Sequence, residues 1–312
     1  MKISVVIVNY NTKNLLLQCI RSVLRELESC DGEVFVVDNA SSDSSVDAVE
    51  LEFPQCRLLK NTGNLGFGKA NNQAFALAKG EYILMLNPDA ELRAGSLACL
   101  VNYLDEHPEV AVVGPRTLYP DGTFQASAFD FPSIRTEFLV ATFLYLIPRG
   151  VPRLARKLGL AWPPESTREV GFMRGSCLLC RGEVLREAGG FDERYFLYTE
   201  EVDLQYRISR KGWKLVFNPG AEIIHHHGKS MEQDPESTYV ELYRSKSQFL
   251  EAYHSKPYVY LTKALWILFH ASRLAIFGAA GMVNRTEKQK VKMRKHRAAL
   301  LFLLGARKQK EA

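Results

Sequence analysis

Long apolar runs are scarce in this 312-residue sequence. The first, Ile3–Val8, stops at Asn9-Tyr10-Asn11 and is too short for the core of a secretory leader. Thirteen prolines and 21 glycines exclude a collagen-like or wholly disordered chain, while 46% apolar residues suffice for one large core or two modest ones. The six cysteines (Cys19, Cys30, Cys56, Cys99, Cys177 and Cys180) follow no framework spacing. Cys177-Leu178-Leu179-Cys180 lacks a second pair to complete a zinc site, so core packing is its expected role, in a reducing cytosolic setting. Gly63-Asn64-Leu65-Gly66-Phe67-Gly68-Lys69 fits neither the G-x-G-x-x-G nor the G-x-x-x-x-G-K-[ST] pattern, which disfavours a dinucleotide fold or a P-loop. It is either a flexible loop or a glycine-rich helix entry that offers backbone N–H groups to a nucleotide. Excess positive charge is missing from most of the chain as well. The net charge is +5, but residues 283–312 hold ten Lys/Arg against two Glu, leaving 30 basic and 33 acidic residues in 1–282. A mildly acidic body with a basic end excludes a surface that wraps nucleic acid, and no nucleic-acid partner is expected.

What is present is strand–helix alternation. Ile3–Val8, Val34–Val37, Arg57–Leu59, Tyr82–Leu86 and Val110–Val113 read as strands. Between them, Leu15, Leu16, Cys19, Ile20, Val23 and Leu27 form one helical stripe, and 68–79 predicts a second helix. The alternation predicts an α/β fold with a mostly parallel, doubly wound, Rossmann-like sheet. Residues 116–170 are irregular and proline-punctuated around the apolar stretch Phe138–Ile147, which is either a core helix or a lipid-touching surface. Strand and helix signals resume at 172–185 and 202–209, with two further short strands at Lys214–Phe217 and Glu222–His227. The stretch 258–282 is apolar but interrupted by Lys263, His270 and Arg273, which share one side of a helix with Thr262. Spanning a bilayer would bury permanent charges at about 2.5–3.5 kcal/mol each. An in-plane amphipathic helix followed by a basic tail on anionic lipid avoids that cost. A packed helix with a solvated tail is the other reading.

Polar clusters follow three of the strands, where open α/β sheets bind ligands. After Tyr82–Leu86 comes Asn87-Pro88-Asp89-Ala90-Glu91, whose two acids point the same way if the backbone stays extended. Two hard carboxylates suit Mg²⁺ or Mn²⁺; alternatively the segment is a polar turn. Tyr198-Thr199-Glu200-Glu201-Val202-Asp203 crowds three acids together. They are dipole-favoured residues of a helix start capped by Thr199, or they contain a general base raised by its neighbours. His225-His226-His227 closes a strand pattern with His225 and His227 on one face, fit for structural or metal-binding work.

The ordered set Val5–Asn11, Val36–Ser41, Asn61–Phe67, Asn71-Asn72, Asn87-Pro88-Asp89, Gly175-Ser176-Cys177, Gly189–Asp192, Tyr198–Leu204 and His225–Ser230 resembles the family 2 glycosyltransferases of GT-A fold. The likeness covers roughly residues 2–231 and is nearest to rhamnosyltransferase-like members. It implies a GT-A catalytic domain over 1–232, with a nucleotide-sugar half (1–115) and an acceptor and base half (116–232), then a helical membrane-associating extension (233–312). Asp38 would hydrogen-bond the donor's base or ribose, with Asn9 and Asn11 lining the same pocket and Asn61, Gly66 and Asn71 shaping its floor. Asp89 would lead a DxD-type metal motif (Asp-Ala-Glu, with Glu91), and His225 would be a further ligand to Mg²⁺ or Mn²⁺. Glu201 matches the family's base, usually Asp in a Glu-Asp pair; with Glu-Glu here, Glu200 and Asp203 stay candidates. The resemblance implies inverting transfer of rhamnose from dTDP-rhamnose to a glycan acceptor on a polyprenyl carrier, at the inner face of the cell membrane. A sugar-1-phosphate nucleotidyltransferase would carry a basic glycine-rich loop where Asn9–Thr12 stand, and a processive synthase would carry Gln-x-x-Arg-Trp. An inactive glycan-binding or scaffolding relative is the reading from another class.

Overall fold

The computed structural model describes residues 1–142, 165–226, 235–280 and 286–306. The end of Phe138–Ile147 (143–147), residues 281–282 of the apolar helix, His227 and the tail positions 283–285 and 307–312 lie outside the described residues. The chain divides into two compact units, Met1–Phe131 with Pro163–Ser230, and Pro132–Trp162 with Met231–Ala312.

The first unit is built on a ten-stranded sheet. Its strands are β1 (Ile3–Asn9), β2 (Gly32–Asp38), β3 (Arg57–Lys60), β4 (Tyr82–Leu86), β5 (Ala90–Leu92), β6 (Val110–Leu118), β7 (Phe124–Gln125), β9 (Arg168–Glu169), β11 (Cys177–Arg181) and β12 (Lys214–His225). The order is β3-β2-β1-β4-β11-β6-β12-β5, with β7 on β6 and β9 on β12; β8 (Ala128–Phe129) and β10 (Phe172–Met173) form a separate pair. All seven residues of β1 are buried, as a continuous apolar run covered on both faces requires. Helices α1 (Lys13–Leu27), α2 (Ser45–Glu52) and α4 (Ser96–Glu106) supply apolar residues to one buried cluster. Helices α3 (Phe67–Phe75), α6 (Gly182–Glu187) and α7 (Glu200–Arg210) supply another. The sheet is therefore covered by helices on both sides, as predicted.

Strand direction corrects the expectation of a mostly parallel sheet. β3, β2, β1 and β4 are parallel, but β11 lies antiparallel between β4 and β6, and β5 is antiparallel to β12. Hydrophobicity cannot reveal this, because β11 is buried through Cys177–Cys180 like its parallel neighbours. Pairing Cys177 with Leu86 brings the start of β11 beside the end of β4, so Arg174–Ser176 arrive where the parallel strands finish. The two short strands expected at 214–227 are one strand, β12, whose register against β6 is irregular between Asn218 and Glu222. Pro219 in that gap has no N–H to give a ladder.

The second unit is helical: α5 (Ile134–Ala141), α8 (Pro235–Tyr253), α9 (Lys256–Ala280) and α10 (Glu287–Leu303). Glu137 on α5 ties three helices, accepting from Lys246 Nζ (2.8 Å) and Trp266 Nε1 (2.9 Å). Helix α9 buries Val259 and Trp266 together with two residues of its polar side. Thr262 and His270 are buried, and Lys263 is held by Glu251 at 2.7 Å. Tyr260, Leu261, Leu268 and Ile276 are exposed instead. The polar side packs inward because His270 finds His296 of α10 there, Nδ1 to Nδ1 at 2.9 Å, among Tyr239, Tyr243 and Phe269. Among the described residues no helix is long and apolar enough to cross a membrane.

Candidate active site

Three groups of polar residues gather where β1, β2, β4 and β12 end. The first is a closed network. Asn9 Nδ2 donates to Asp38 Oδ1 (2.8 Å) and to Ser41 Oγ (3.0 Å), while Asn9 Oδ1 accepts from Thr12 (2.7 Å). Ser41 N–H holds Asp38 Oδ2 at 2.8 Å. Asp38 is buried and engaged at both oxygens, although each keeps a second lone pair for a ligand. Asn11, at a φ of 54°, accepts from Ser42 N–H (2.7 Å), and Ala40 also has positive φ. Non-glycine residues in this region of backbone space concentrate at ligand-handling turns.

Asn61 donates to Asn39 Oδ1 (2.9 Å) and exchanges amide hydrogen bonds with Gln73. Gly66 adopts a φ of +85° under the Phe196 carbonyl, which accepts from Phe67 N–H at 3.0 Å; a Cβ at Gly66 would collide with it. Gly66 thus clamps its loop to the segment preceding Glu200. Asn71 is buried and donates to Phe67 O of its own helix (2.9 Å), an internal bond of α3. Its neighbour Asn72 bridges to Phe191 through both main-chain groups (2.8 and 2.9 Å).

The second group is Asp89 with His225, Oδ1 to Nε2 at 3.2 Å. Asp89 and Glu91 do not act as the expected pair. The Asn87–Ala90 turn, closed by Ala90 N–H to Asn87 O (3.1 Å), takes Asp89 off the strand's alternation. Glu91 meets His226 instead (2.7 Å), and successive residues of a strand face opposite ways. Among the described residues no group of three metal-ligating side chains forms. Asp89 and His225 nevertheless suit a divalent cation that takes its remaining ligands from a diphosphate and water. Gln125 Oε1 lies 2.8 Å from His225 Nδ1 and leaves Nε2 as the nitrogen facing Asp89.

The third group opens α7. Tyr198 and Thr199 hold consecutive positive φ angles of 67° and 70°. Thr199 stands at the N-cap with no side-chain cap bond, contrary to its expected role; its carbonyl accepts from Asp203 N–H at 2.8 Å. The three acids then separate. Glu200 is buried. Asp203 is wholly buried against Arg207 (2.7 Å), whose guanidinium also donates to the carbonyls of Ala188 and Gly190, so this acid anchors the 188–191 turn. Glu201 is only partly buried and packs on Gly175, where an added Cβ would lie 3.6 Å from its own. Desolvation pushes the Glu201 carboxyl above the usual carboxylate range; its own backbone N–H and the Arg174 guanidinium pull the other way. Ser176, one residue on, accepts from Asn87 N–H at 3.0 Å. Residues 174–176 therefore join the Glu201 side chain to the turn that carries Asp89. Arg174 and Gln125 carry no sequence signal of their own; only the antiparallel entry of β11 and the pairing of β7 bring them here.

A profile of the family described as Glycosyl transferase family 2 matches residues 4–159. An N-acetylglucosaminyl-diphospho-decaprenol L-rhamnosyltransferase from Mycobacterium tuberculosis is 35% identical over 233 residues, 71% of this chain and 75% of that protein. Rhamnosyltransferase WbbL of Escherichia coli is 29% identical over 174 residues, 53% of this chain and 62% of that protein. Among solved structures, the mannosyltransferase PcManGT from Pyrobaculum calidifontis, in complex with GDP-Man and Mn2+, aligns with a TM-score of 0.57 at 17% identity, over 98% of this chain and 86% of that one. S. aureus TarS 1-349 in complex with UDP-GlcNAc aligns at 0.52 and 14% identity, covering 98% and 91%. These two likenesses bear on the fold, which is mixed α/β and GT-A-like. The profile match and the mycobacterial relative together decide the family: this chain is a glycosyltransferase of family 2.

Proposed function

We propose that this glycosyltransferase moves a sugar from a nucleoside diphosphate donor to a hydroxyl of a lipid-linked glycan, inverting the anomeric carbon. Rhamnose from dTDP-rhamnose is the donor most consistent with the mycobacterial and E. coli relatives, whose names specify rhamnosyl transfer. The carrying observation is the 174–176 turn, which touches Glu201 on one side and hydrogen-bonds the Asp89 turn on the other. The side chain assigned here as proton acceptor and the turn of the carboxylate assigned to the diphosphate thereby both contact one piece of backbone.

Glu201 takes the proton from the acceptor hydroxyl as it attacks, its desolvated carboxylate being a stronger base than one in water. Arg174 keeps enough of it ionised for that work. A single base with no second nucleophile gives one displacement and hence inversion. Asp89 and His225 would hold Mg²⁺ or Mn²⁺, which supplies positive charge to the departing diphosphate. Asp38, Asn9, Asn11 and Asn61 form the polar wall for the nucleoside, with Gly66 and Asn71 setting the loop and helix behind it. The 1–232 portion is the catalytic domain on this reading, and 233–312 its membrane-associating extension. Support for the extension comes from the exposed Tyr260, Leu261, Leu268 and Ile276 of α9, and from Lys290, Lys292, Arg294 and Arg297 exposed on α10. Apolar and basic side chains together suit the anionic inner leaflet.

Glu201→Gln tests the base. It is expected to lower transfer by about 10²–10⁴-fold while donor binding, read by calorimetry, persists. Full activity in that variant would remove the assignment. The released product should be the nucleoside diphosphate; pyrophosphate would indicate nucleotidyl transfer instead.

A further inference from the structure

Gln125 is buried on β7, opposite Thr117 of β6, and far in sequence from every residue discussed as a ligand. Its Oε1 lies 2.8 Å from His225 Nδ1, and its Nε2 is buried with no hydrogen-bond partner among the described residues. On the other side of the imidazole, Nε2 stands 3.2 Å from Asp89 Oδ1 and 3.5 Å from Asn87 Nδ2. An amide oxygen can only accept, so in this orientation the proton of a neutral His225 sits on Nδ1. The Nε2 lone pair then faces a carboxylate, two acceptors that are reconciled by a bound cation or by a second proton on the ring. Turning the amide over exchanges the arrangement. Gln125 Nε2 would donate to Nδ1, and His225 Nε2–H would donate to Asp89, satisfying both groups with no cation. The buried, unmatched amide nitrogen thus marks the orientation suited to a loaded site.

We propose that Gln125 is a positioning residue that sets the tautomer of His225. With the cation bound, its oxygen holds Nδ1–H and commits the Nε2 lone pair to the metal shared with Asp89. Without the cation, its nitrogen faces Nδ1 and the proton moves to Nε2, so the side chains change no net charge. Neither leucine nor glutamate can do both: leucine offers no partner, and an ionised glutamate only accepts. The inference rests on Asp89 and His225 as metal ligands.

The test is Mn²⁺ alone titrated into the full-length protein, read by loss of the free-ion electron paramagnetic resonance signal. Wild type, Gln125→Leu, Gln125→Glu and Asp89→Asn are compared, with thermal melts checking each fold. Gln125→Leu is expected to weaken binding about 10–100-fold, and Gln125→Glu to retain wild-type affinity or exceed it. Histidine-selective ¹⁵N spectra of the wild type supply a readout that needs no variant: His225 should be the Nε2–H tautomer alone and the Nδ1–H tautomer with Mg²⁺. Equal Mn²⁺ affinity in wild type and Gln125→Leu, or one tautomer in both conditions, overturns the role of Gln125. If wild type and Asp89→Asn bind Mn²⁺ equally poorly, the metal reading itself falls, and the inference with it.

Discussion

Glu201 works against its surroundings. Its carboxyl is raised by desolvation and restrained by Arg174, so protonation, which disables a base, sets in at a higher pH than for a carboxylate in water. The acid limb of the kcat/KM profile should therefore lie above the ordinary glutamate range. Arg174→Met removes the restraining cation and should move that limb to higher pH; an unmoved limb would show that Arg174 does not face the base. Gly66 has a different task. Alanine there must occupy a φ of +85° and meet the Phe196 carbonyl, at a cost of about 1–3 kcal/mol from backbone strain alone. Chemical denaturation of Gly66→Ala should register that loss, together with reduced transfer as the loop before Glu200 shifts. The acid cluster drew attention to Glu201, Glu200 and Asp203 alike, because composition cannot sort neighbours. The fold does so by giving Asp203 to Arg207 and leaving Glu201 against Gly175.

At the scale of elements, α9 shows how little a helical wheel says about which side faces in. The sequence places Thr262, Lys263, His270 and Arg273 on one side correctly, yet Thr262 and His270 are the buried ones. A histidine with a neutral partner can enter a core, while Tyr260, Leu261 and Leu268 stay outside, the side assigned above to the proposed membrane contact. Each leucine leaving water contributes about 1.5–3 kcal/mol. Replacing both Leu261 and Leu268 by Asp should thus reduce co-sedimentation with anionic vesicles by at least about tenfold, without changing transfer to a soluble acceptor. Unchanged sedimentation would remove α9 from the membrane-binding surface.

For the whole molecule, the two units differ in what sustains them. The first has a sheet covered by apolar helices on both faces. The second buries His270 against the half-buried His296: His270 is pushed down to about 3 by burial, then by His296 and Lys246, and His296 to about 4 by burial, then by Arg273, Lys292 and Lys295. Both are neutral when folded and take up protons when unfolded below about 6.5, so stability is complete above that pH and declines as pH falls toward 4. A helical transition that moves to lower temperature between pH 7 and pH 5 checks this; His270→Phe with His296→Leu should flatten the dependence. The sequence alone determined that there are apolar strands with polar ends, that helices alternate with them, and that acidic clusters stand at Asp89–Glu91 and Glu200–Asp203. Burial writes itself into residue type, because apolar groups must leave water wherever they are. Only the tertiary structure decided the direction of β11, the pairing of Asp89 with His225 and Glu91 with His226, and the inward side of α9. Those choices depend on which distant residue arrives as a neighbour, and periodicity along a chain records exposure without naming the partner.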